Sequence, residues 1–216
     1  MDDLLKQIKK AKGKSWGYIF YNDDYRFKKT YQNFALIEME ELKEAKLKDY
    51  HFWPISKRQA FYLLDITDIN ARIEPGAIIR SNVKIGEDAI IMMGAIINIG
   101  AEIGKKTLID MGAVIGSRAQ IGNNCHIGAN AVIAGVLEPL SSKEVVIEDD
   151  CLIGAGAVII EGVTVKKGTV VGAGSVVIND TIEGMVYAGN PAKLIKKRDE
   201  KTNQKTVFLD ELRRID

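Results

Sequence analysis

The sequence predicts a mainly β chain, a parallel β-helix of hexapeptide repeats carrying a small α+β domain at its N-terminus and a helix at its C-terminus. Three observations carry this. Isoleucine falls at every sixth position from Ile73 to Ile133, eleven times in strict phase. Two residues before the next isoleucine stands a small side chain, as at Ala77, Val83, Ala89, Ala95, Ala101, Thr107, Ala113, Ala119, Cys125 and Ala131. The phase then returns at Ile147, Ile153, Ile159, Val165, Val171 and Val177. Neither an α-helix nor an ordinary sheet repeats at six, whereas a hexad coil does.

Each hexad supplies one short strand and one turn, and three hexads close a triangular coil. Coils stack at the strand spacing of about 4.8 Å. The isoleucines line the inside, and the small residues fill the inner corners. Glycine recurs directly after the inward residue (Gly86, Gly104, Gly116, Gly122, Gly128, Gly154, Gly172), which is expected where the chain bends with unusual dihedrals.

Aromatic residues divide the chain: thirteen of fifteen lie at or before Tyr62, while eighteen of twenty glycines lie after residue 75. Residues 1–66 are therefore read as a small α+β domain. Leu4 to Lys12 is a basic amphipathic stretch with the pattern of a short helix ending at Gly13. Trp16 to Tyr21 reads as a strand, Asn22 to Asp24 as a turn, Tyr25 to Phe34 as a second strand, and Glu38 to Lys48 as a helix burying Leu42, Ala45 and Leu47. Residues 67–180 form the repeat, with Thr67 opening one further degenerate hexad. Between Ile133 and Ile147 the spacing is fourteen, so a loop at about 135–146 leaves the prism. Residues 181–216 depart from the repeat, turn at Gly189 and Pro191, and close with a helix from Thr206 to Ile215 that covers the open end.

A net charge of +1 gives no electrostatic case for nucleic acid or a membrane surface. There is no apolar run long enough to span a bilayer and no secretory signal in the lysine-rich first fifteen residues. Cys125 and Cys151 both take the small inward position and are read as core-filling thiols, which fits a reducing, cytoplasmic setting. His51 and His126, the only histidines, lie far apart and cannot make a three-histidine metal site.

Chemistry is sought where the repeat breaks its own glycine rule. Glu74, Arg80, Asn98 and Asp110 replace it. With eighteen residues per coil, Glu74, Met92, Asp110 and Gly128 share one corner, and Arg80 and Asn98 stack on the next. Asp110 is either a turn-forming aspartate or a functional carboxylate, and periodicity alone does not separate the two. Arg118 suits bidentate binding of a carboxylate, or stands as a surface arginine. A histidine's unperturbed pKa suits a general base, and His126 stands on an outward face, facing a ligand, a neighbouring subunit or solvent.

The stretches ARIEPGAIIR, IIMMGAIINIG, LIDMGAVIGSRAQIGNNCHIGANAVIAGVLEP and VVIEDDCLIGAGAVIIEGVTV, with the ending VYAGNPAK, closely resemble the tetrahydrodipicolinate N-acetyltransferases of the diaminopimelate route to lysine. The resemblance covers residues 71–193. It implies a left-handed β-helix and transfer of the acetyl group of acetyl-CoA to the amine of ring-opened tetrahydrodipicolinate, 2-amino-6-oxopimelate. No metal is implied. It also implies a homotrimer with active sites between adjacent prisms.

By the same resemblance Asp110 matches the carboxylate base of succinyl-transferring relatives, and Glu138 in the GVLEP loop is a second carboxylate candidate. Arg80, Asn98, Arg118 and His126 are candidates to hold the dicarboxylate amine. Gly154, Ala155, Gly172 and Ala173 would let the CoA arm approach the backbone, with Lys193 and Lys196 meeting its phosphates. The catalytic histidine of amino-sugar acetyltransferases aligns with Ser117, which speaks against that substrate class. Residues 1–62 look unlike the longer N-terminal domain of the family, so acyl transfer is a firmer expectation than the acceptor. The succinyl-CoA version of the reaction, another small amine as acceptor, and a non-enzymatic scaffold are the competing readings.

Overall fold

The computed structural model describes residues 14–21, 30–31, 34–45, 47, 50–59, 61–137 and 142–206. Contacts divide the chain into two units, Met1–Tyr62 and Leu63–Asp216. The second unit begins four residues earlier than the hexad pattern places it, because Leu63 bridges Arg80 and the Leu64 N–H donates to the Ile79 carbonyl at 2.9 Å.

In the first unit, strand Lys14–Tyr21 lies between strands Phe34–Glu38 and Tyr50–Gln59 in an antiparallel sheet, with the short strand Thr30–Tyr31 at one edge. Ile19 and Ile37 are fully buried in this unit. Helix Met39–Ala45 adds Leu42 to them, with Ala45 and Leu47 packed alongside. The strand Trp16 to Tyr21 and the helix with its buried Leu42 match the sequence reading. Of the second strand expected over Tyr25 to Phe34, Thr30–Tyr31 is a strand and Phe34 opens a further one that runs to Glu38, while residues 25–29 and 32–33 lie outside the described residues. Tyr50–Gln59 was missed because Pro54 argues against a ladder. The stretch Leu4 to Lys12 and the turn Asn22 to Asp24 lie outside the described residues.

The second unit is the prism. Its two-residue strands form three parallel sheets. Sheet A stacks Arg72–Ile73, Ile90–Ile91, Leu108–Ile109, His126–Ile127, Leu152–Ile153 and Val170–Val171. Sheet B stacks Ile78–Ile79, Ile96–Ile97, Val114–Ile115, Val132–Ile133, Val158–Ile159 and Val176–Val177. Sheet C stacks Lys84–Ile85, Glu102–Ile103, Gln120–Ile121, Val146–Ile147 and Thr164–Val165. Every inward residue faces its equivalent one coil away, and ladders such as Ile97, Ile115, Ile133 and Ile159 are fully buried. Thr67 does not open a hexad; its N–H and hydroxyl both donate to Asp65, making a tight local turn ahead of the first coil.

The glycine rule has a different cause from the one the sequence implies. The left-handed dihedrals sit three residues after the inward isoleucine, at Gly76, Asn82, Asp88, Gly94, Gly100, Lys106, Gly112 and their successors. Glycine directly after the isoleucine has ordinary dihedrals but lies against the next coil. A Cβ on Gly154 would stand 2.5 Å from the Ala173 nitrogen, and one on Gly128 would stand 2.7 Å from that of Ala155. Close approach of backbones, not bending, excludes a side chain there.

The chain leaves the prism after Ile133 and re-enters at Val146. Gln120 pairs with Val146 across twenty-six residues where eighteen is the normal step, so the insertion is eight residues. Beyond the last hexad, Met185–Gly189 pairs with Val170–Val171 and then with Ala192–Lys197. This hairpin continues sheet A, and the sequence reading saw only its turn. A short helix, Glu200–Lys205, follows the hairpin, and Asp199 caps it by accepting from the Thr202 N–H at 2.8 Å. The stretch expected as helix beyond Thr206 lies outside the described residues.

Candidate functional site

Asp110 ends the strand Leu108–Ile109 and stands where the chain turns from sheet A to sheet B. Its backbone N–H donates to the Ile127 carbonyl one coil on, which anchors the residue. Of its carboxylate oxygens, Oδ1 accepts the Met111 N–H at 2.7 Å, while Oδ2 lies 3.8 Å from His126 Nε2. Both side chains are about one-quarter to one-third exposed, at 25% for Asp110 and 31% for His126. The residue directly above Asp110 is Gly128, so no side chain covers the carboxylate from that side. Met111, next to it in the chain, is exposed, and Met92 lies one coil below it.

Gly128, Gly154 and Gly172 continue the Asp110 corner coil by coil, accompanied by Ala129, Ala155 and Ala173. At one strand spacing per coil, Gly154 is roughly 10 Å and Gly172 roughly 14 Å along the prism from Asp110. Lys193 and Lys196 lie on the hairpin that extends the same sheet. Lys196 Nζ is 2.6 Å from Asp199 Oδ2, and with Thr202 it holds the Asp199 carboxyl well below the usual carboxylate range. Lys193 is exposed.

Arg80 and Asn98 stand on a different corner, where sheet B turns into sheet C. Arg80 Nη1 donates to Asn98 Oδ1 at 3.4 Å, and that oxygen also accepts the Ile99 N–H at 2.8 Å. Arg118 lies at this corner too, but its guanidinium is turned onto the carboxylate of Glu144, with 12% of its side chain exposed. The carboxyl of Glu144 is held below its ordinary range by its own backbone N–H and by Arg118. The structure therefore brings Asp110 to His126 and Arg80 to Asn98, while the two groups occupy opposite edges of sheet B. Glu138 lies outside the described residues.

The ends of the insertion are stitched to the prism. Val136 N–H donates to the Ser117 carbonyl at 3.0 Å. Lys143 Nζ donates to Thr164 Oγ1 at 3.0 Å and lies 3.8 Å from Asp180. Sequence reasoning missed Lys143 and Glu144 because they fall inside the break, where the period gives no position. Ser117 is only 4% exposed.

The two cysteines fill adjacent inner corners and are both buried and free. The Cys125 thiol and burial push the Cys151 thiol far above the ordinary range, which leaves it a packing group. Among the described residues no cluster of His, Cys, Asp or Glu is placed to hold a metal ion, and no helix is long and apolar enough to cross a membrane.

A three-sheet prism of hexads with an anchored carboxylate at a corner, a file of small residues beside it and an extruded loop defines a hexapeptide-repeat transferase. Residues 100–135 and 144–179 match the family described as bacterial transferase hexapeptide (six repeats), and residues 82–117 match the hexapeptide repeat of succinyl-transferase. A 2,3,4,5-tetrahydropyridine-2,6-dicarboxylate N-acetyltransferase of Clostridium perfringens is 63% identical over 158 residues, 73% of this chain and 67% of that one. One of the same name from Thermotoga maritima is 58% identical over 186 residues, 86% of this chain and 78% of that one. The chain belongs to the family of 2,3,4,5-tetrahydropyridine-2,6-dicarboxylate N-acetyltransferases. Among solved structures, a point mutant of perosamine N-acetyltransferase from Caulobacter crescentus, in complex with CoA and GDP-perosamine, superimposes with a TM-score of 0.50 at 31% identity, covering 64% of this chain and 59% of that one.

Proposed function

We propose that this enzyme transfers the acetyl group of acetyl-CoA to the amine of tetrahydrodipicolinate in its open form, 2-amino-6-oxopimelate. The product is N-acetyl-2-amino-6-oxopimelate, an intermediate of lysine biosynthesis by the diaminopimelate pathway in the cytoplasm. The amine nitrogen attacks the thioester carbonyl, a proton leaves the nitrogen, and the C–S bond breaks to release the thiol. Asp110 takes that proton, and general-base help of this kind is commonly worth ~10² to 10⁴ in rate. The observation that carries the reading is the Asp110 carboxylate: one oxygen is held by the Met111 N–H at 2.7 Å, and the whole stands at the head of a file of small residues.

Along that file the CoA arm passes Gly154, Ala155, Gly172 and Ala173, where the lack of bulk admits an extended chain, and Lys193 meets its phosphates with Lys196. The CoA in the perosamine N-acetyltransferase complex supports an acyl-CoA donor. Arg80 and Asn98 hold a substrate carboxylate through a charge-assisted contact. Because they stand across sheet B from Asp110, one chain does not gather the base and the clamp. A homotrimer brings the Asp110 corner of one copy against the Arg80 corner of the next, so each site is shared.

The outward residues of sheet B support this arrangement. They are Ile78, Ile96, Val114, Val132, Val158 and Val176, an unbroken aliphatic ladder in which Ile78 is 48% and Ile96 43% exposed. On sheet C the same positions hold Lys84, Glu102 and Gln120 before turning to Val146 and Thr164. An aliphatic ladder that is exposed at Ile78 and Ile96 and half-buried at Val114, Val132, Val158 and Val176 suits a surface covered in an assembly.

The match of residues 82–117 to a succinyl-transferase repeat favours a second reading, the succinyl-CoA-dependent form of the same step. The test is thiol release with acetyl-CoA and succinyl-CoA, each offered against 2-amino-6-oxopimelate. Acceptor-dependent release with acetyl-CoA, lost in Asp110→Asn, is the expected result. Release with succinyl-CoA alone would install the second reading, and no acceptor dependence with either would overturn both.

A further inference from the structure

We propose that Asn130 is a further catalytic residue, whose side-chain amide donates to the thioester carbonyl oxygen as negative charge gathers there during acyl transfer. Where sheet A turns into sheet B, each coil places one residue in the left-handed conformation. Five of these six are Gly76, Gly94, Gly112, Gly156 and Gly174, and the sixth is Asn130, with φ 55°. Asparagine tolerates this region better than most residues, but glycine adopts it without strain. The corner therefore carries a side chain at this position on one coil only, and that coil directly follows the coil of Asp110.

The backbone fixes Asn130 against the Asp110 turn, since its N–H donates to the Met111 carbonyl at 2.9 Å. The side chain leans back over the same turn. A Cβ on Gly112 would collide with the Asn130 amide oxygen and stand 3.5 Å from its Cγ, while a Cβ on Gly156, one coil on, would meet nothing within 4 Å. The oxygen end thus faces Gly112, and the NH2 end is turned away from it. Asn130 is exposed, and among the described residues no group hydrogen-bonds its amide. Asn124, left-handed too but at the corner between sheets C and A, differs: its Nδ2 donates to Asp150 Oδ1 at 2.8 Å and ties two coils together. That structural duty is missing at Asn130.

One strand spacing and a two-residue step separate Asn130 from Asp110, so their Cα atoms are no more than roughly 9 Å apart. They flank the opening diagonally, with room between them for one reacting centre. A thioester that comes down the file past Gly172 and Gly154 reaches the coil of Asn130 before that of Asp110. The amine nitrogen forms its bond to the carbonyl carbon, and the π electrons move onto the carbonyl oxygen, where the amide N–H of Asn130 donates. The nitrogen gives one proton to Asp110 Oδ2, the oxyanion collapses, the C–S bond breaks, and the sulfur leaves with that proton as the free thiol. The inference rests on the reading of this corner as the acyl-transfer site.

Glycine is the informative replacement, because the other five coils show that it fits this position. In the full-length protein, Asn130→Gly is expected to melt no lower than wild type. Its kcat should fall roughly a hundredfold, as loss of one oxyanion donor commonly costs ~10² to 10³, with little change in KM for either substrate. Asn130→Asp keeps the shape but loses the NH2 group, and should lose at least as much. A second measurement needs no turnover: binding of acetyl-CoA against S-ethyl-CoA, a thioether without the carbonyl oxygen, by titration calorimetry. Wild type should favour acetyl-CoA roughly threefold or more, the worth of one neutral hydrogen bond, and Asn130→Gly should bind the two alike.

Undiminished kcat in Asn130→Gly, or a loss confined to KM for the acceptor, overturns the proposal and leaves acyl transfer intact. So does a preference for acetyl-CoA that is absent in wild type or persists in the variant. If wild type turns over with succinyl-CoA alone, the same kinetic comparison is made with that thioester, whose carbonyl is the same. If wild type releases no thiol with either, the acyl-transfer reading falls, and the calorimetry still decides whether Asn130 meets the carbonyl.

Discussion

Arg118 stands at a left-handed turn, φ 63°, and turns its guanidinium onto the carboxylate of Glu144, twenty-six residues along the chain at the exit of the insertion. An arginine in that conformation is uncommon, since the region favours glycine and asparagine. The pair spans the base of the loop: Ser117 holds the entry through the Val136 N–H, and Arg118 holds the exit. An arginine expected to bind substrate is therefore engaged within its own chain.

Breaking this pair is expected to loosen the loop. Glu144→Gln should cost about 1–2 kcal/mol at neutral pH, because a charge-assisted contact is lost while Arg118 stays largely covered. The folded carboxyl titrates below its unfolded value, so the contribution is complete above the ordinary carboxylate range and disappears as pH falls through the folded value. Thermal melts of wild type and Glu144→Gln should differ at pH 7 and converge as the pH falls below the ordinary carboxylate range. A charge exchange, Arg118→Glu with Glu144→Arg, recovers part of the loss if the contact itself is what matters.

Two glycines of opposite kind predict different penalties. A Cβ on Gly104 would lie 2.6 Å from the Asn123 nitrogen of the next coil, so Gly104→Ala must push coils apart, costing about 3 kcal/mol. Gly174 has φ +66° with nothing within 4 Å of a Cβ, so Gly174→Ala meets only backbone strain of about 1–2 kcal/mol. Urea denaturation of both variants ranks the two causes.

Thr107 takes a small inward position that alanine usually fills. Its hydroxyl donates to the Gly122 carbonyl at 2.7 Å and accepts the Cys125 N–H at 2.9 Å, fully buried. Thr107→Val keeps the shape and orphans both groups, with an expected loss of about 2 kcal/mol or more. Thr107→Ser, which keeps the hydroxyl, should cost less in the same melt.

Arg80 is expected to act on the acceptor and not on the thioester. Arg80→Met should raise KM for 2-amino-6-oxopimelate roughly tenfold or more while KM for acetyl-CoA moves little, since a lost charged contact is worth about 1.5–3 kcal/mol. Asn98→Ala, which removes the partner 3.4 Å away, should reproduce a smaller part of that shift. Equal changes in both constants would place Arg80 outside the acceptor site.

By itself the sequence determined the prism. A six-residue period in Ile73 to Ile133 admits one packing, in which each isoleucine covers the next, and the small residues at Ala95, Ala113 and Ala131 state how little room the corners have. It also placed the break and gave Asp110 as a departure from the rule. What only the tertiary structure decided is what depends on neighbours eighteen or twenty-six residues away. Glycine is needed at Gly154 because Ala173 presses on it, a contact no local pattern reveals. The insertion is eight residues because Gln120 pairs with Val146. Arg118 points at Glu144, and Asp110 comes within 3.8 Å of His126 and not near Arg80, because stacking of coils, not distance along the chain, sets which side chains meet. The hairpin Met185–Lys197 extends sheet A because an open strand edge at Val170–Val171 offers unpaired backbone groups, and that demand becomes visible only once the last coil is in place.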